Sequence, residues 1–75
     1  MNPEELRILT RLRNRWAQEG PRAMRQRHRL STVEVARALG VNRYTVWCWE
    51  ARGQQPTPEY AVRYAKLLDA LEAAA

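Results

Sequence analysis

An all-α fold, a compact bundle of about five helices, is what this sequence predicts, and three observations predict it. The stretch Ser31 to Glu50, STVEVARALGVNRYTVWCWE, holds a helix start, a glycine turn and a second helix start in close succession. Apolar residues on either side of that stretch recur at three- and four-residue spacing. A length of 75 residues is enough for one hydrophobic core and too short for a catalytic domain with its own pocket.

The elements follow in order. Asn2-Pro3-Glu4-Glu5 is a strong helix opening, with a capping side chain, proline at the first position and acids near the positive end of the dipole. The spacing of Leu6, Leu9, Leu12 and Trp16, with Ile8 on a flank, predicts a helix from Pro3 to about Gln18, ended by Gly20-Pro21. A second helix, Pro21 to about His28, offers Ala23 and Met24 to a core.

Ser31 followed by Glu34 is a capping box that opens a third helix over Thr32 to Leu39. Gly40 sits where the chain turns and a positive φ is needed, and Asn42 caps a fourth helix over about residues 43 to 51. Val35, Ala36 and Leu39 form one apolar stripe and Val46 with Trp49 another, Ala36 being small where the helices cross. A rotation of ~100° per residue puts Tyr44, Trp47, Cys48 and Ala51 on the outward side of the fourth helix, with Cys48 as a small filler there. Two outward aromatics mark an interaction site, with a protein contact or further core as the plainer reading.

Residues 52 to 56 read as a loop. Thr57-Pro58 then opens a last helix to about Glu72, which packs through Ala61, Tyr64, Ala65, Leu68 and Leu71. Tyr60 and Leu67 lie on a neighbouring strip, for a partner or for the first helix. Ala73-Ala74-Ala75 has helix propensity without a packing role and is expected to fray.

Composition narrows the function classes. A net charge of +5 suits a polyanionic partner, because cations near phosphates release condensed counterions. Residues 7 to 29 carry eight arginines against one glutamate, whereas residues 53 to 75 carry two basic and three acidic groups. One cysteine, Cys48, and one histidine, His28, make no internal disulfide, metal cluster or catalytic triad, and there is no glycine-rich phosphate loop. The expectations are no enzyme, no cofactor, no metal, no small-molecule substrate and no membrane contact, with a reducing cytoplasm as the setting.

Residues 22 to 71 resemble the lambda-repressor/Cro-like (XRE-type) helix-turn-helix family of bacterial and phage regulators. The residues that carry the resemblance are Leu30-Ser31, Val35-Ala36, Leu39-Gly40-Val41, Thr45-Val46, Trp49-Glu50, Gly53, Pro56 and Ala65-Lys66-Leu67-Leu68. Arg29 departs from the family's frequent glycine before the leucine, and Pro21 from a frequent aliphatic residue. The resemblance implies four core helices in a DNA-binding domain over residues 21–75. Residues 1–20 are then an extra helix, packed on the core or on a dimer partner. It also implies a fold contact between Arg25 and Glu50.

In such a motif the second helix lies in the major groove and its N-terminal residues meet base edges. Arg43, Tyr44 and Trp47 are then the first base-contact candidates, Arg43 for a guanine edge or for a phosphate, and Thr32 matches a family position that touches backbone or base. Ser31, Arg52, Gln54, Arg27 and Arg37 are the phosphate candidates, at the start of the first motif helix and in the loop after the second. Tyr60, Leu67 and Leu71 are the candidate dimer seam. The expected function is a sequence-specific transcriptional regulator, a homodimeric repressor or autoregulator of a phage, plasmid or bacterial operon, binding an inverted-repeat duplex operator. An antitoxin-like protein-interaction module and a recombination directionality factor are the alternatives.

Overall fold

Asn2 closes a full capping box at the start of the chain: its side chain accepts from Glu5 N (2.8 Å) while Glu5 Oε1 accepts from Asn2 N (3.4 Å). The helix so opened, α1 (Pro3–Glu19), is followed by α2 (Pro21–Arg27), α3 (Thr32–Leu39), α4 (Arg43–Ala51) and α5 (Pro58–Ala74). This all-helical arrangement is seen in a computed structural model that describes residues 1–74. α5 runs through Ala73 and Ala74, where fraying was expected; Ala75 lies outside the described residues. No helix among the described residues is long and apolar enough to cross a membrane.

α1 packs along α5, α3 packs on α4 and on α5, and α2 bridges α1 and α4. One core joins Leu9 and Leu12 of α1, Met24 of α2, Val35, Ala36 and Leu39 of α3, Val46 and Trp49 of α4, and Ala61, Val62, Tyr64, Ala65 and Leu68 of α5. Of the two places the sequence leaves open for α1, the structure therefore has it on the core. Trp16 reaches both Trp49 (6.4 Å between ring centres) and Tyr64 (6.2 Å), and those two rings lie 6.1 Å apart, so three rings from α1, α4 and α5 meet as one cluster. Leu6 does not join the stripe: it is 50 % exposed, because it lies a quarter-turn from the line of Leu9, Leu12 and Trp16. Ala23 is likewise exposed, leaving Met24 as the buried residue of α2.

Charged groups clamp the far ends of α1, α2 and α5. Glu72 takes Arg15 (2.6 Å) and Arg27 (3.8 Å), with His28 Nε2 3.7 Å away and paired only when the imidazole is protonated; Glu19 takes Arg27 (3.0 Å) and Arg15 (3.7 Å), and Asp69 takes Arg11 (3.5 Å). Burial works against ionisation of Glu72, but the hydrogen bond from Arg15 and the charges of Arg15, His28 and Arg27 outweigh it and lower its pKa.

Candidate functional site

The turn between α3 and α4 is built by backbone hydrogen bonds that only a left-handed residue can close. Gly40 adopts φ 75°, its N–H donates to Arg37 O (3.3 Å), and Val41 N donates to Ala36 O (2.9 Å), which is the Schellman pattern. Asn42 then restarts the chain as a cap, accepting from Tyr44 N at 2.7 Å. Arg63 of α5 donates to the last carbonyl of α3, Leu39 O (3.3 Å), so the turn is held from outside as well.

The inward side of α4 fixes its rotation. Val46 and Trp49 are buried as the spacing predicts. Glu50 is anchored by a fork: Arg25 Nε donates to Glu50 Oε2 (2.6 Å) and Arg25 Nη2 to Oε1 (2.8 Å), while Arg25 Nη1 donates to Leu30 O (2.9 Å). Arg22 adds a longer contact at 3.5 Å. The Glu50 side chain is 3 % exposed, so this pair ties α2, the α2–α3 turn and α4 together out of water. The hydrogen bond to Glu50 raises the Arg25 pKa against the effect of burial.

The outward side presents Tyr44 at 56 % and Trp47 at 46 % exposure, their rings stacked with centres 5.6 Å apart and planes 23° apart. Arg52 Nη1 donates to the Tyr44 hydroxyl (3.2 Å), which joins the loop after α4 to the stack. Thr32, Asn42, Arg43, Tyr44 and Trp47 line an open concavity between the start of α3 and the start of α4. All four predicted base-contact residues therefore gather at one place.

Arginines that no carboxylate among the described residues engages stand on this face, as they do at Arg7, Arg13 and Arg29. Among the described residues no carboxylate pairs with Arg37, Arg43 or Arg52, whereas Glu19, Glu50, Glu59, Asp69 and Glu72 are all engaged by cations elsewhere. Glu34 is the acid nearest in sequence to the concavity. Its carboxylate accepts from Ser31 N (2.9 Å), and the hydrogen bonds from Ser31 lower its pKa.

The phosphate candidates are less uniformly placed. Gln54, Arg37 and Arg52 are exposed. Ser31 is exposed, but its N–H and hydroxyl serve the capping box, leaving the hydroxyl hydrogen to give. Arg27 is not part of the concavity; Glu19 and Glu72 hold its guanidinium. Of the seam candidates, Tyr60 and Leu67 are half-buried against the core, with the Arg63 guanidinium 5.2 Å from the Tyr60 ring centre. Leu71 is half-buried outside that core.

Cys48 corrects the helical phasing. The sequence reading put it outward beside Tyr44 and Trp47, but it is 5 % exposed. The chain turns back at this end of α4, Gln54 N (3.3 Å) donating to the same Cys48 O that takes the ordinary helical bond from Arg52 N (3.0 Å), and Cys48 is buried at that end. The Arg52–Tyr44 bond was missed by sequence reasoning, although residues eight apart stand within a quarter-turn of each other at ~100° per residue, which was the available signal. Comparison of the chain with protein-family models, with curated proteins and with solved structures returns no match.

Proposed function

We propose that the chain binds double-stranded DNA sequence-specifically, with α4 seated in the major groove. Its role is then that of a small homodimeric repressor or autoregulator of a phage, plasmid or bacterial operon, as its resemblance to the lambda-repressor/Cro-like family implies. The observation that carries this reading is the outward face of α4, where Arg43 and a stacked Tyr44–Trp47 pair stand around a concavity shared with Thr32. The major groove admits a helix of this width, and an arginine fork matches the O6/N7 edge of guanine. The unpaired Arg37, Arg43 and Arg52 supply positive charge where phosphates would lie, while Glu34, the acid nearest in sequence, is turned to its capping box with Ser31. Arg27, committed to Glu19 and Glu72, is left out of the proposed contact set.

Selection of bound duplex from a random pool, followed by gel retardation against unrelated duplex, tests the reading. A preferred sequence bound ~10³-fold or more over random duplex is the expected result. Equal affinity for every duplex, or none, would overturn it.

One observation favours a second reading. The stacked pair is the largest exposed apolar feature of the motif, and such a patch also suits a partner protein. An antitoxin-like adaptor of this kind would show no duplex preference in the same selection.

A further inference from the structure

Arg52 sits on the last turn's cap and yet reaches back to the first turn of α4, where its Nη1 donates to the Tyr44 hydroxyl at 3.2 Å. Tyr44 in turn lies on Trp47, 5.6 Å between ring centres. Both rings are about half exposed, so solvent alone would leave them free to change rotamer; the arginine and the stack hold them as one plate. Trp47 stands one turn beyond Arg43 on the same side of the helix, so a cation and an apolar plate are neighbours within about the rise of one or two base pairs.

We infer that Arg52, Tyr44 and Trp47 act as one unit that reads the 5-methyl group of thymine next to a guanine read by Arg43. The inference rests on the proposed DNA-binding reading. Its chemistry is narrow: in the major groove the bases present donors, acceptors and, on thymine alone among the four, an apolar methyl. An apolar plate pressed into that groove gains from thymine and loses by covering any polar edge without pairing it. Arg52 is the positioning residue. Among the described residues its one side-chain hydrogen bond joins the end of α4 to the ring proposed to meet the base, so a phosphate drawn to Arg52 also sets the plate.

The test uses the full chain and the duplex recovered by selection, with each thymine replaced in turn by deoxyuridine, which removes the methyl and nothing else. At one or two positions beside a guanine, deoxyuridine weakens the wild-type protein about fourfold, the worth of one buried methyl-sized group. In Trp47→Ala the same replacement changes affinity by less than about 1.5-fold, by the logic of a double-mutant cycle. Tyr44→Phe keeps the ring and removes only the acceptor for Arg52; it and Arg52→Ala both bring the thymine-to-deoxyuridine ratio close to one.

A merely phosphate-binding Arg52 would weaken both duplexes alike and leave the ratio at about four, which would overturn the positioning role. No sensitivity to deoxyuridine at any position, in a duplex that the protein does select, would overturn the methyl reading while leaving DNA binding intact. If no duplex is selected at all, the DNA-binding reading and this inference fall together. Thermal melts of Trp47→Ala, Tyr44→Phe and Arg52→Ala within about 3 °C of wild type confirm that ratios are compared on folded protein, since all three side chains are exposed.

Discussion

Arg29 is the residue where backbone and side chain disagree most plainly. Its φ is 56°, in the left-handed region, and around it the α2–α3 turn repeats the hydrogen bonds of the α3–α4 turn: Arg29 N donates to Gln26 O (2.9 Å) and Leu30 N to Arg25 O (3.3 Å). Gly40 holds the matching place in the other turn without a Cβ. The departure noted at Arg29 in the sequence therefore falls on a position that the fold asks of glycine. Arg29→Gly should stabilise the chain by about 1 kcal/mol, the left-handed penalty less the extra freedom of glycine in the unfolded state, and raise Tm by roughly 4–8 °C; an unchanged or lower Tm would refute this. Tyr64 is a second such residue. Its hydroxyl is buried without a hydrogen-bond partner, and burial, with the charge of Glu50, pushes its pKa up to about 12. The folded state thus keeps the proton longer than the unfolded state, whose tyrosine titrates near 10. That contribution is complete below pH ~10 and disappears as pH rises towards ~12. Tyr64→Phe should accordingly remove part of the alkaline loss of stability in denaturant melts between those limits, and should not destabilise at pH 7, since it deletes an unsatisfied hydroxyl.

At the scale of elements, α4 serves folding on one side and the proposed contact on the other, and substitutions should split accordingly. Trp49→Ala opens the three-ring cluster with Trp16 and Tyr64 and should cost ~3–5 kcal/mol, much of the stability of so small a domain. Trp47→Ala and Arg43→Ala should leave the melt nearly unchanged and lower affinity for the selected duplex by ~1–3 kcal/mol, Arg43→Ala relaxing the choice at one base pair. Collapse of the melt in Trp47→Ala with normal folding of Trp49→Ala would show α4 rotated from the described orientation. The phase of α4 was legible because Val46 and Trp49 repeat at helical spacing between the cap at Asn42 and the acid at Glu50, and the caps at Asn2, Ser31 and Gly40 mark their helix ends chemically. Cys48 was not legible, because its burial lies off the stripe of Val46 and Trp49, which is all that periodicity within α4 reports. Arg27 was misjudged for a related reason: Glu72, one of its two partners, is 45 residues away, and such a pairing is set by tertiary packing. Leu6 fits a leucine spacing on paper, yet the line of burial on α1 passes through Leu9, Leu12 and Trp16 and misses it.

For the whole molecule, the question is how two copies would meet on an inverted repeat. A two-fold pair places the same patch of each copy against its mate, and half-sites about one turn, ~10 base pairs, apart would present two copies of α4 to successive major grooves. Tyr60 and Leu67 are already packed on the core, so a charge placed there would test folding as much as pairing. Leu71 is half-buried, stands outside that core, and lies next to the Glu72 ion cluster that joins α5 to α1 and α2, which makes it the cleaner probe of a seam on α5. Away from the motif, the other large apolar side chains that stay exposed are Met1 and Leu6 at the start of α1. Sedimentation equilibrium on a duplex carrying the full inverted repeat should find two copies bound. Leu71→Glu should reduce this to one copy at the same protein concentration with Tm nearly unchanged, and Leu6→Glu should leave two. The reverse pattern would move the seam to α1, and a single wild-type copy on the full repeat would refute the dimer.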